Sequence, residues 1–174
     1  MTLLHFPLPG RIYRSSMPFG SYDSDGVVLQ EYTENQISVI VPLASIEECE
    51  EKAHMNLHEL YREKGFDVVP LPVEDYSVPS VEALSYVVNK VIEYARSGRN
   101  VVVHCSAGRG RTGTFMACLA RRLFGFSGMT RYSGPGGTFP ERLKPNCRKT
   151  WSGSTSLNNQ FTDARKFNPG FPHP

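Results

Sequence analysis

The sequence predicts an α/β fold, a central and mostly parallel sheet flanked by helices, on three observations. Short β-branched runs alternate with longer segments whose apolar residues recur at helical spacing, the pattern of strand and helix in layers. The run Asn100-Val101-Val102-Val103-His104 is apolar almost without interruption, as expected of a strand buried on both faces. A glycine-rich turn joins that strand directly to another helical segment.

Taken in order, Ile37–Leu43 is a β-branched run ending at a proline and reads as a buried strand. A helix is expected from Ser45, a plausible N-cap, to a stop at Gly65, with Ile46, Cys49, Ala53, Leu57, Leu60 and Tyr61 on its apolar face. Phe66–Val73 reads as a second strand whose prolines place it at an edge or end it early. Ser80 opens a helix that Gly98 closes, with Val81, Leu84, Val87, Val88, Val91, Ile92 and Ala95 on the buried stripe. The strand at residues 100–104 follows, and after the turn a helix is expected over Thr112–Phe124. Sheets of this kind place ligands at the carboxyl ends of their strands, where Cys105 sits.

At 174 residues the chain holds one domain with a real core. A net charge of +2 is too small to argue for a nucleic-acid or membrane partner. The first ten residues lack a charged signal-peptide n-region, and no apolar run approaches the roughly 18 residues of a membrane helix. Cysteines at 49, 105, 118 and 147 form no close zinc or redox pair. A reducing, cytoplasmic setting is the expectation; the oligomeric state is open.

The segment His104-Cys105-Ser106-Ala107-Gly108-Arg109-Gly110-Arg111-Thr112-Gly113 carries the chemistry. A cysteine nucleophile acts as its thiolate, which needs a stabilising environment. Gly108 and Gly110 let backbone N–H groups converge, and the positive end of the following helix aims at the same point. Such a nest also binds a phosphate dianion, so Ser106, Ala107, Gly108, Arg109, Gly110 and Arg111 are the candidate phosphate-binding residues. Arg111 is expected to close over the loop and grip two phosphate oxygens, and Thr112 to donate a hydrogen bond to the sulfur. His104 is expected to brace the loop, since adjacent strand side chains point to opposite faces.

The pattern His-Cys-x-x-Gly-x-x-Arg-Thr at 104–112 resembles the signature of protein tyrosine and dual-specificity phosphatases. The chain's size is similar to the compact dual-specificity or archaeal-type enzymes. The resemblance covers approximately residues 8–129, including Pro9–Ser15, which is similar to the family's first strand; Arg109 departs from the apolar residue usual at its position. It implies a phosphatase-like fold, a phosphocysteine intermediate, phosphorylated protein or peptide substrates, and no metal or other cofactor. Phosphotyrosine is the leading substrate, with phosphoserine and phosphothreonine beside it. The alternatives are a phosphoinositide phosphatase and a catalytically impaired phosphate-binding module; rhodanese-like sulfur transfer gains nothing from Arg111-Thr112.

Phosphoryl transfer to a thiolate needs a proton for the leaving oxygen and later a base for water. Asp75, in Val73-Glu74-Asp75-Tyr76-Ser77-Val78-Pro79, leaves a strand at the same edge, where the compact family carries its acid. Glu74 is the second candidate. His54 and His58, spaced as in some zinc sites, lack a His-Glu-x-x-His pattern and read as a solvated helix face. Cys118 reads as core, Cys49 as core or a redox partner of Cys105, and Arg109 as a second anion contact or a solvated charge.

The expected division is a phosphatase-like domain over residues 1–129, short of the family's last helices, and an atypical low-order tail over 130–174. The tail is rich in Gly, Pro, Ser, Thr and Asn with no apolar period. A reading-frame shift just after Met129 would account for it. Moved by one base, degenerate codons for 130–140 can encode an amphipathic helix resembling the family's.

Overall fold

The computed structural model describes residues 1–125 together with two short strands, Ser133–Gly134 and Gly137–Thr138, which pair antiparallel. The reading-frame expectation and the rest of the 130–174 tail lie outside the described residues.

The main sheet has five strands: β1 (Thr2–Leu4), β2 (Ile12–Ser15), β3 (Ile37–Pro42), β4 (Asp67–Val68) and β5 (Asn100–His104). Their order is β1-β2-β5-β3-β4, with β1 antiparallel to β2 and the other pairings parallel. β5 is central, as its unbroken apolar run predicts. Its alternation splits the core: Val101, Val103 and Cys105 face one cluster, Val102 the other.

On the first face pack α4 (Val81–Arg96) and α5 (Gly110–Phe124), contributing Val87, Val88, Val91, Ile92, Phe115, Met116 and Leu119. On the second face lie α1 (Val27–Glu34), α2 (Ile46–Ala53) and α3 (Leu57–Glu63), with Leu29, Tyr32, Cys49, Leu57 and Tyr61. No described helix is long and apolar enough to cross a membrane.

Four local expectations need correction. The helix expected over 45–65 is two, because His54 turns left-handed (φ 57°) and Asn56 caps a new start through the Glu59 amide. The strand expected over 66–73 is regular only at Asp67–Val68. Beyond it the chain stays extended, with the Val69, Leu71 and Val73 amides donating to Ile40, Pro42 and Leu43 carbonyls while prolines remove the intervening donors. β4 does lie at a sheet edge, as the prolines imply. The last helix begins at Gly110, two residues early, and β1 and α1 have no counterpart in the sequence reading.

Candidate active site

Strands β2, β3 and β5 run parallel and end in register at Ser15, Pro42 and His104. Everything that follows these ends therefore gathers at one edge. Cys105 is 3% exposed, at the floor of that edge. Two neighbours hold its loop: the Met17 amide donates to the Ser106 carbonyl at 2.9 Å and the Leu43 amide to the His104 carbonyl at 2.8 Å.

The turn needs a glycine at 108. Its φ is +69°, and a Cβ there would lie 2.2 Å from the Ser15 carbonyl oxygen. The chain can pass that close to β2 only without a side chain. Gly110, by contrast, has open space around it and an ordinary φ. Its part in shaping the turn is thereby corrected, because it is already the first residue of α5. The first amides of a helix have no intrahelical acceptor, so the positive end of α5 meets the loop.

His104 points away from the first-face cluster, as alternation predicts. It is fully buried, its Nε2 pairs with the Tyr61 hydroxyl at 3.0 Å, and its Nδ1 lies 3.3 Å from the Cys105 carbonyl. Burial pulls its pKa down to about 4, so the ring stays neutral near pH 7.

The residue that sequence reasoning missed is Glu48. Arg111 does not stand free to close over the loop. Its Nη1 and Nη2 donate to the two Glu48 oxygens at 2.6 and 2.7 Å, a bidentate fork, and Nη1 also donates to the Val73 carbonyl at 2.8 Å. Arg111 and Lys52 together hold the Glu48 carboxyl down at about 2, with the Arg111 hydrogen bond the larger cause. A guanidinium has two forks, and this arrangement consumes the Nη1/Nη2 one. The Nε/Nη2 edge remains for a ligand, with Asp75 Oδ1 at 3.8 Å from Nε. The one available signal was Ser45-x-x-Glu48, a capping-box pattern. Ser45 does cap α2 through the Glu48 amide, but the Glu48 carboxylate goes to Arg111.

Asp75 stands on the loop beyond the extended 69–73 segment, its side chain 59% exposed and its Oδ1 accepting from the Tyr76 amide. Glu74 is exposed on the same loop and forms no ion pair with Arg111. Thr112 corrects another expectation: its hydroxyl is fully buried and makes no hydrogen bond, to sulfur or to anything else among the described residues. Ser106 and Ala107 are half-buried along the loop, and Arg109 is exposed at its rim.

Residues 22–123 match the family described as "Tc-R-P: Polymorphic toxin system, DSP-PTPase phosphatase". The chain belongs to this family. That family is one of phosphatases of the dual-specificity type, and the match spans the loop, Glu48 and Asp75 together. The tyrosine-protein phosphatase cdc-14 of Caenorhabditis elegans is 34% identical over 106 residues, 61% of this chain and 13% of that protein. The chain spans no more than 34% of the length of the curated relatives it matches. Among solved structures, Tk-PTP in its active form is similar at TM-score 0.55 and 27% identity, covering 68% of this chain and 72% of that one. PTPMT1 in complex with PI(5)P is similar in fold alone, at TM-score 0.55 and 19% identity, covering 67% and 70%.

The remaining candidates resolve as structure. His58 is 3% exposed with Nε2 against the Ala44 carbonyl at 3.1 Å, which corrects its reading as a solvated face. His54 is exposed at the end of α2, so the pair no longer shares a helix. No group of three or more His, Cys, Asp or Glu among the described residues could hold a metal. Cys49 is buried in the second-face cluster, where burial pushes its thiol up to about 12, against a redox partnership with Cys105. Cys118 is partly buried against the first-face cluster.

Proposed function

We propose that this domain hydrolyses phosphotyrosine in proteins through a phosphocysteine intermediate. The observation that carries the reading is the anchored Arg111: its inner fork is fixed by Glu48 and its outer fork faces the side of Asp75, above a loop whose floor is Cys105. The Cys105 thiolate attacks phosphorus in line, and the phosphorus–oxygen bond to the tyrosine breaks as the phosphorus–sulfur bond forms. Asp75 gives its proton to the leaving phenoxide. The same carboxylate then takes a proton from water, which attacks the phosphocysteine and releases phosphate and the thiolate. Arg111 and the loop amides bind the three non-bridging oxygens, and the buried Thr112 hydroxyl, which has no other partner among the described residues, donates to the departing sulfur.

Depth favours tyrosine over the shorter phosphoserine and phosphothreonine. With Cys105 and Arg111 almost wholly buried, the long phenyl ring reaches the floor more readily than a one-carbon side chain. Tyr76 and Tyr22, 85% and 64% exposed, stand on loops at the same edge and can flank that ring. The test is p-nitrophenyl phosphate hydrolysis across pH by the native protein, Cys105→Ser and Asp75→Asn. Complete loss is expected for the first. The second should lose much of its rate together with the decline on the basic side of the profile. A Cys105→Ser variant that keeps full activity overturns the mechanism, and hydrolysis of phosphoinositides without any on phosphotyrosyl peptides overturns the substrate.

A further inference from the structure

The surroundings of the loop carry a charge pattern that narrows the substrate. Because β2, β3, β4 and β5 are mutually parallel, the segments that follow them (residues 16–26, 43–48, 69–82 and 105–111) all emerge at the edge where Cys105 lies. Those segments bring Asp23, Asp25, Glu47, Glu74, Asp75 and Glu82 to that edge, all exposed except the half-buried Asp23. Against them stand the exposed Arg109 and the part-exposed Lys52, since Arg111 and Lys52 share the single Glu48 carboxylate. At the opposite edge, where strands begin and helices end, Arg11, Lys64, Arg96 and Arg99 are interleaved with Glu34, Glu63 and Asp67, and Arg99 pairs with Asp67 at 2.6 Å. The acidic excess among the described residues is thus gathered around the anion-binding loop.

An anion is nonetheless what the floor accepts. The Thr112 hydroxyl, wholly buried in the first turn of α5, has no partner, and the outer fork of Arg111 is unused by Glu48. A site that binds one dianion inside a negative rim selects against further negative charge beside it.

We propose that the site takes a single phosphotyrosine set among basic residues, and disfavours acidic phosphopeptides and polyphosphorylated headgroups; this rests on the phosphotyrosine reading above. The geometry suits it. Four strands spaced about 4.8 Å apart make an edge about 15 Å wide, and an extended peptide covers that with roughly four or five residues. Residues one or two positions either side of the phosphotyrosine therefore lie over that edge, within about two Debye lengths of its carboxylates at physiological salt, ~8 Å each. An exposed pair changes affinity by a few-fold, so exchanging three flanking acids for three bases should change it by about tenfold.

The test uses the full chain, so that the seven bases and two acids of residues 126–174 are present. Two phosphotyrosyl peptides, identical except for Lys or Glu at three flanking positions, are compared in affinity for the Cys105→Ser protein and in kcat/KM for the native one. The basic peptide should lead by about tenfold at low ionic strength, and the ratio should shrink several-fold near 0.5 M salt, where charges are screened within about 4 Å. The triple variant Asp25→Asn, Glu47→Gln, Glu82→Gln should bring the low-salt ratio toward one. Equal or better recognition of the acidic peptide overturns the inference while leaving the phosphatase reading intact, as does faster turnover of anionic phosphoinositide vesicles than of the basic peptide. If p-nitrophenyl phosphate is not hydrolysed at all, the phosphatase reading fails, and the Cys105→Ser affinities still decide the charge preference.

Discussion

Replacing Glu48 by Gln tests whether the arginine of the loop is held or merely present. The substitution keeps size and removes charge from a carboxylate whose side chain is 16% exposed and which grips a guanidinium only 5% exposed. A carboxyl held at about 2 instead of its ordinary value favours its charged form by about 3 kcal/mol, counted once for the pair. The Gln amide can accept from only one arm of Arg111 and sets an N–H against the other, leaving a buried cation without a counter-charge. Stability should fall by about 2–3 kcal/mol, a loss of roughly 5–12 °C in Tm for a domain of this size. Once the inner fork is released, the outer fork loses its aim, and kcat/KM for p-nitrophenyl phosphate should drop about 100-fold, the scale of an ångström's misplacement. Competitive inhibition by inorganic phosphate should weaken with it. Lys52→Met, which removes only the part-exposed 2.8 Å partner of Glu48, should cost less than about 1 kcal/mol. A Glu48→Gln protein within twofold of native kcat/KM and within about 0.5 kcal/mol in urea unfolding would refute the reasoning, since the Val73 and Leu43 carbonyls would then suffice to hold Arg111.

The buried neutral His104 has a pKa below its unfolded value, so the unfolded state binds the extra proton first as pH falls. Stability should therefore decline from about pH 6.5 toward 4, by up to about 3 kcal/mol, with His58 adding to the same trend; His104→Gln should flatten most of that window in urea titrations. Glu48 acts lower: its contribution is complete above about pH 4.5 and is lost as pH falls toward 2. Gly108→Ala should destabilise by at least about 1–3 kcal/mol and abolish turnover, because it combines a positive φ with a backbone collision. Gly110→Ala, in open space at the start of α5, should be neutral or stabilising by thermal denaturation and leave turnover within a few-fold. Thr112→Val deletes a buried hydroxyl that has no partner, so Tm should hold or rise while breakdown of the phosphocysteine slows, visible as burst kinetics.

Local regularities made much of this readable without coordinates. Ser80, the apolar stripe behind it and Gly98 bound α4 almost to the residue, because capping and helical period are written within one contiguous stretch. The same holds for β5 and the loop that follows it. Where signals of equal strength competed, the reading failed. Apolar spacing continues across residues 45–65, yet Asn56 caps a second helix and splits the segment. α1 starts at Gly26 with no side-chain cap, and β1 is three residues long, so neither left a pattern strong enough to detect.

The sequence by itself singled out the Cys105 loop and a candidate acid at Asp75 and determined the layered α/β scaffold, since each resides in a short run of neighbouring residues. Tertiary structure alone decided that Glu48 anchors Arg111 from 63 positions away, that Tyr61 holds His104 across 43, and that the carboxylates of three separate segments gather at the edge where Cys105 lies. Such contacts have no period and no spacing rule. They exist because parallel strands end together, and that coincidence in space appears only when the chain is folded.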